Sequence, residues 1–195
     1  MKDEKMKTGS KKAEHMTSLS GKRLVSKTHG RIAFRGLIDT LEAEVIEAQV
    51  LASRLSGSGE PDSAEPDSVE SSGSAMCGKL GEVLDYLRAI MSAEVKETPL
   101  PPPFLFGMDA EEIHRQSHDT EGIFTAVPLP AYTQGPFAAR LNTLRAKVRE
   151  AELLAVRVFG PGENPQRDDI ILALNRLSSA LWWLFCKYVS GRKLH

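Results

Sequence analysis

Apolar residues return at intervals of three and four along four long stretches of this chain, and no stretch alternates convincingly at an interval of two. An α-helix turns through about 100° per residue, so such spacing gathers the apolar side chains into one stripe. The first stretch runs from Arg31 to about Leu55. Phe34, Leu37, Ile38, Leu41, Val45, Ala48 and Leu55 form its stripe, with acidic residues 42, 44 and 47 falling largely opposite. The second runs from about Met76 to Lys96 with Leu80, Val83, Leu84, Leu87, Ile90 and Met91 inside. The prolines of TPLPPPF (98–104) end it, because proline cannot continue the helical ladder. The third is RLNTLRAKVREAELLAVRVF (140–159), closed by GPGENP, and the fourth covers about Arg167 to Val189. A short helix is predicted over 109–118, DAEEIHRQSH, with Asp109 as its cap and Glu112 at the capping-box position. Each long stripe needs another to cover it. The predicted fold is therefore all-α, an antiparallel helical bundle of four long helices plus a short one.

What lies between the helices divides the chain further. Residues 1–15 are polar and lysine-rich and read as a mobile tail, and 16–190 read as a single bundle domain. MTSLSGKRLVSKTHG (16–30) reads as a loop, ordered by itself or by a ligand. SGSGEPDSAEPDSVESSGS (56–74) offers almost nothing to bury and reads as a flexible acidic linker, while 119–136 reads as a loop. A chain of 195 residues, 41% hydrophobic and 26% charged, has enough apolar mass for a core. Its net charge of −1 provides no basic field for nucleic acid. No apolar run approaches the roughly 20 residues of a membrane span, and ALWWLFCKYV (180–189) carries Lys187, so no membrane partner is expected. The charged N-terminus lacks the apolar region of a secretory signal. Cys77 and Cys186 form no metal-ligand cluster, and both are expected to be reduced.

The polar residues beside the stripes carry the functional information. In 140–159 the stripe is Leu141, Leu144, Val148, Ala151, Ala155 and Phe159, and Lys147, Glu150 and Arg157 lie on the far side. Arg145, Arg149 and Glu152 share one flank of the stripe, where a half-buried charge must find a partner. Two readings are open: ion pairing along the helix surface between Arg149 and Glu152, or an anion clamp suited to polyphosphate. Asn175, Ser178 and Trp182 lie on or beside the buried face that Leu174, Leu181 and Phe185 define. A buried asparagine needs partners, either across helices or on a polar ligand. Thr17, Ser18, Lys22, Lys27 and Arg31 place hydroxyls and cations just before the first helix, which suits phosphate but also suits a basic tail. Neither GxxxxGK[ST] nor GxGxxG before a suitable strand and helix is present. His114 and His118 stand four apart, a spacing that suits a metal and equally a hydrogen-bonded surface pair, and no metal site is assigned.

Read together, three stretches resemble the ATP:cob(I)alamin adenosyltransferases. TSLSGKRLVSKTHGRIAFRGLIDTLEAEV (17–45) is similar to that family's N-terminal signature, LRAKVREAELLAV (144–156) to its R-x-x-x-R-x-A-E element, and LNRLSS (174–179) to its N-R-L-S motif. EEIHRQSH (111–118) and the serine ending of NRLSS resemble the ethanolamine-utilisation branch, here as its catalytic domain without the Cys-rich N-terminal region. KKAEHM stands where the family carries a Gly-Asp-x-Gly run, and Glu150 and Leu153 stand at positions that are arginine in the propanediol-type branch. The resemblance implies a five-helix bundle that transfers the 5′-deoxyadenosyl group of ATP, with Mg2+, to cobalamin reduced to Co(I), giving adenosylcobalamin and triphosphate. By matching positions it implies that Lys27, Arg145 and Arg149 contact the triphosphate, and that Glu152 orients an arginine. The resemblance further implies that Asn175 meets the nucleotide and that Thr17, Ser18 and Arg31 belong to the phosphate-side loop. It also implies a reductant, a homo-oligomer (dimer or trimer) with sites between subunits, and a cytoplasmic place in or beside a catabolic microcompartment. The competing reading is a non-catalytic bundle, a scaffold or a corrinoid-binding regulator, in which the same polar residues are structural.

Overall fold

The structure is a computed structural model that describes residues 13–21, 23–55, 73–118, 129–161 and 166–191. The tail over 1–12, the acidic linker over 56–72, Lys22 and the loop over 119–128 lie outside the described residues. In chain order come β1 (Met16–Ser20), β2 (Arg23–Ser26), α1 (Gly30–Ala52), α2 (Gly73–Lys96), a short α3 (Ala110–His118), α4 (Gly135–Phe159) and α5 (Asp168–Ser190). The α4 helix starts earlier than its stripe suggests, because Pro136 sits in its first turn, where a missing N–H costs nothing. Asp109 caps α3 by accepting from the Glu112 N–H at 2.8 Å. The Glu112 carboxylate does not return to the cap, and accepts instead from Arg115 and Gln116.

The predicted loop at 16–30 is in part a β-hairpin, which corrects the expectation of no strands. Thr17 faces Val25 and Ser18 faces Leu24 across an antiparallel pair, and Gly21 takes the left-handed φ of 51° at the turn. The strands are only five and four residues long, and Leu19, at 2% exposure, is their one buried apolar side chain. A hairpin so short has little alternation to display and little stability alone. Here β1 rests on α2.

Side-chain contacts fix the direction of three neighbouring helix pairs. Gln49 near the end of α1 reaches the Cys77 carbonyl near the start of α2, while Arg31 near the start of α1 reaches Glu94 near the end of α2. Glu44 and Glu47 of α1 pair with Lys147 and Arg140 of α4, and Phe34 meets Phe159 edge-on at 5.1 Å. Phe137 at the start of α4 meets Tyr188 at the end of α5, edge-on at 4.8 Å. All these contacts are antiparallel, so the four long helices close a bundle around one apolar core. The chain from α2 to α4 must return along the length of the bundle, and on the way it lays α3 against α5. Lys147, expected on the far side in water, is thus an ion-pair partner of α1.

Most of the predicted stripe residues form the core, while Leu37, Leu55 and Met91 are partly buried against it and Leu55 lies past the end of α1. Phe34, Ile38, Leu41, Leu80, Leu87, Leu144, Val148, Leu174 and Leu181 are all buried. Each such side chain contributes about 1.5–3 kcal/mol on burial. By length and composition α5 is able to cross a membrane, contrary to expectation, and 61% of its apolar window is buried inside the bundle. Cys77 and Cys186 are both free thiols, and burial raises Cys186 to about 12 although Arg145 lowers it.

The end of α4 contains a position that tolerates no side chain. A Cβ on Gly160 would stand 2.4 Å from the Val156 carbonyl oxygen, which accepts the capping Gly160 N–H. Gly160→Ala is expected to cost about 1–3 kcal/mol in a denaturant melt, the range for a forced backbone shift.

Candidate functional site

A cleft of about 650 Å³ opens between α3, α4 and α5, beside the segment that leads from Leu129 into α4. The α4 helix contributes Arg145, Arg149 and Glu152, because positions four and three apart share one flank. From α5 come Asn175, Ser178 and Trp182, and from α3 come His114 and His118. The resemblance named four of these residues, Arg145, Arg149, Glu152 and Asn175, and one cleft contains them all.

Among the described residues the two arginines carry no carboxylate. Nε and Nη2 of Arg145 both donate to Asn142 Oδ1, at 3.2 and 3.1 Å, and its guanidinium lies 5.4 Å from the centre of the Trp182 ring. Arg149 is exposed and has no hydrogen-bond or ion-pair partner among the described residues. Desolvation holds the Arg145 guanidinium below the usual arginine range, and the charge of Arg149 adds to that effect. Two like charges in a partly desolvated cleft repel each other, an arrangement that an incoming anion would relieve.

Glu152 does not pair with Arg149, which removes the helix-surface reading for that pair. Its Oε1 accepts from Asn175 Nδ2 at 2.9 Å. Asn175 Oδ1 accepts in turn from Arg176 Nη1 at 2.6 Å, and Arg176 Nε donates to the Ala110 carbonyl at 3.0 Å. Asn175 is thereby satisfied across helices. The chain of bonds also ties the first turn of α3 to the floor of the cleft, fixing where His114 and His118 stand. Those two rings lie 4.3 Å apart, and His118 Nδ1 is 2.9 Å from the His114 carbonyl. A carbonyl only accepts, so Nδ1 is the donor in that contact, with Ser117 Oγ also 3.1 Å from it. No group of three or more metal-ligating side chains occurs among the described residues.

The N-terminal residues stand elsewhere. Thr17, Ser18 and Lys27 belong to the hairpin and the turn after it, and none lines the cleft. Ser18 donates to the Gly21 carbonyl at 2.8 Å. Arg31 is buried, at 3% exposure, and each of its three nitrogens has an acceptor: Glu94 Oε1 at 2.5 Å, Glu97 Oε1 at 2.7 Å and the Glu94 carbonyl at 3.0 Å. Arg35 also binds the buried Glu94 carboxylate. Burial lowers Arg31, yet its hydrogen bonds to Glu97 and Glu94 outweigh burial and raise it. The sequence showed Arg31 as a phosphate-side cation because its partner stands 63 positions away.

Residues 7–188 match the cobalamin adenosyltransferase family. The chain belongs to that family. Among its relatives, the corrinoid adenosyltransferase EutT of Escherichia coli (strain K12) is 31% identical over 186 residues, and that of Salmonella typhimurium (strain LT2) is 32% identical over the same length. The match covers 94% of this chain and 62% of those relatives, so the chain spans less than two thirds of their length. In fold, this member of the family is similar to a variant PduO-type ATP:corrinoid adenosyltransferase from Lactobacillus reuteri complexed with cobalamin and ATP. The TM-score is 0.62 at 17% identity, over 91% of this chain and 90% of that one. A second variant of that enzyme, also complexed with cobalamin and ATP, gives 0.61 at 16% identity. At such identities the likeness speaks for the helical bundle alone.

Sequence reasoning named the arginine ladder and Asn175, but missed Asn142, Arg176 and the wall from Leu129. Arg176 is the neighbour of Asn175 inside the N-R-L-S motif, and that is its signal in the sequence. Asn142 and Leu129 carry no such mark.

Proposed function

We propose that this protein transfers the 5′-deoxyadenosyl group of ATP to cob(I)alamin, giving adenosylcobalamin and triphosphate. The observation that carries the reading is the Arg145–Arg149 pair, one helical turn apart in a single cleft with no carboxylate on either among the described residues. Family membership and the EutT relatives support it. In this reaction the Co(I) lone pair attacks C5′ of ATP, the C5′–O bond breaks, and its electron pair leaves with triphosphate. Cobalt ends as alkylated Co(III). The attacking atom belongs to the corrinoid substrate, so the chain's own work is to bind, align and desolvate.

Arg145 and Arg149 take the triphosphate and stabilise the charge that grows on it as the bond breaks. Asn175 meets the nucleotide, while Glu152 holds Asn175 rather than an arginine. Magnesium binds through one or two carboxylates plus substrate phosphates. Glu152 is the carboxylate lining the cleft, so the residues fit an ion carried in by the nucleotide. Thr17, Ser18 and Lys27 form the phosphate-side element, and Arg31 anchors its junction with α1 through Glu94. The reaction also needs a reductant to supply Co(I). The resemblance to the ethanolamine branch suggests work in the cytoplasm, in or beside a catabolic microcompartment.

Within one chain the hairpin does not line the cleft, which supports a homo-oligomer, dimer or trimer, in which one subunit's hairpin closes another's cleft. Mixing inactive Arg149→Ala subunits with inactive Lys27→Ala subunits is expected to recover part of the activity. Mixtures that stay as inactive as their components contradict the shared site. The reaction itself is tested anaerobically with ATP, cobalamin and a strong reductant. The Co(I) absorbance is expected to give way to a light-sensitive product only when ATP is present, and ATP-independent loss or no loss overturns the proposal.

A further inference from the structure

We propose that Asn142 and Trp182 are positioning residues for Arg145, which they hold without neutralising it. The inference rests on reading the cleft as a triphosphate site. Several arginines elsewhere in this protein are held by carboxylates: Arg31 and Arg35 by Glu94, Arg140 by Glu47, Arg167 by Asp169 and Arg115 by Glu112; Arg176, next to Asn175 of the same cleft, is held by neutral oxygens as Arg145 is. Arg145 is half-buried and equally in need of support, yet its fork closes on the neutral amide oxygen of Asn142. Its guanidinium face lies over Trp182, and Trp182 is itself stacked on Phe185 at 5.4 Å and 16°. The carboxylate that lines the same cleft, Glu152, is taken by Asn175.

The physical consequence is specific. A carboxylate at position 142 would hold Arg145 more firmly, but an incoming polyphosphate would have to compete with it. An amide oxygen and an aromatic face restrict the side chain and leave its full charge to the ligand. The held arginine is thus preorganised for an anion at little cost when the anion binds.

The test uses inorganic triphosphate as the probe, titrated calorimetrically into the full-length protein, together with kcat and KM for ATP. Asn142→Ala is expected to weaken triphosphate binding about threefold by freeing Arg145, and Asn142→Asp by about tenfold or more by neutralising it, with an unfolding midpoint no lower than that of Asn142→Ala. Trp182→Leu is expected to raise KM for ATP several-fold, and Trp182→Phe to recover most of that loss by restoring an aromatic face. The order of the two Asn142 variants decides the matter. If Asn142→Asp binds as well as wild type, residue 142 merely supports Arg145 and neutrality is irrelevant. If Asn142→Ala matches wild type while Asn142→Asp fails, the aspartate acts only by repelling the ligand. Either result overturns the proposal while leaving the cleft reading intact, whereas wild-type protein that ignores triphosphate removes both.

Discussion

Arg149→Ala is expected to lower the rate of adenosyl transfer by about 100-fold or more, the usual cost of removing one preorganised donor from developing negative charge. The same variant is expected to keep its unfolding free energy within about 0.5 kcal/mol of wild type, as an exposed residue away from packed structure does. Both halves follow from the geometry. Arg149 has no hydrogen-bond or ion-pair partner to lose among the described residues, and it repels Arg145. Its removal relieves that repulsion in the resting protein and is felt only when an anion is present. A coupled loss of stability and activity would mean that Arg149 is structural. Unchanged activity would place the anion elsewhere.

The largest expected effect on stability lies where the end of α2 meets the start of α1. Glu94→Ala is expected to cost about 3–5 kcal/mol, because it leaves two guanidiniums without their shared buried carboxylate. Glu94 is fully buried, at 0% exposure, and serves Arg31 from one oxygen and Arg35 from the other. Replacing all three together with apolar residues of similar volume, as in Arg31→Met, Arg35→Met with Glu94→Leu, is expected to recover most of the loss, since a buried ion cluster stabilises little over good packing. Urea unfolding checks both variants: the single change shifts the midpoint down at constant slope, and the triple change shifts it back. A small effect from the single change would mean that water reaches the cluster. The cluster joins the end of α2 to the start of α1, just after the hairpin, so its loss is also expected to loosen the proposed phosphate-side element.

The sequence made the helices legible because their stripes are long and unbroken, and Leu141, Leu144, Val148, Ala151, Ala155 and Phe159 are all buried as their spacing requires. The arginine ladder was legible for the same reason: a helix places positions 145, 149 and 152 on one flank whatever surrounds it. The hairpin was not, since a strand of four or five residues with one buried side chain leaves no period to detect. Nor was the purpose of Arg31, which depends on a carboxylate 63 residues away. Asn142 is an ordinary polar residue in sequence and acquires meaning only because Arg145 folds back onto it and Trp182 covers the other side. The histidine wall of α3 depends on Arg176 reaching the Ala110 carbonyl, a tertiary contact with no local signature. What the sequence could show was therefore whatever a single helix imposes by its geometry, and what it could not show was whatever two distant elements impose on each other.

The most direct measurement is a product count in one anaerobic reaction: inorganic triphosphate released against cobalt–carbon bonds formed, with ATP labelled on the γ-phosphate. If Arg145 and Arg149 hold an intact triphosphate as it leaves C5′, the two products rise together, one for one, and the label stays in triphosphate. Label appearing as free phosphate with ADP, or cobalt–carbon product without triphosphate, would contradict the account, because the cleft would then be cutting between phosphates or binding something else.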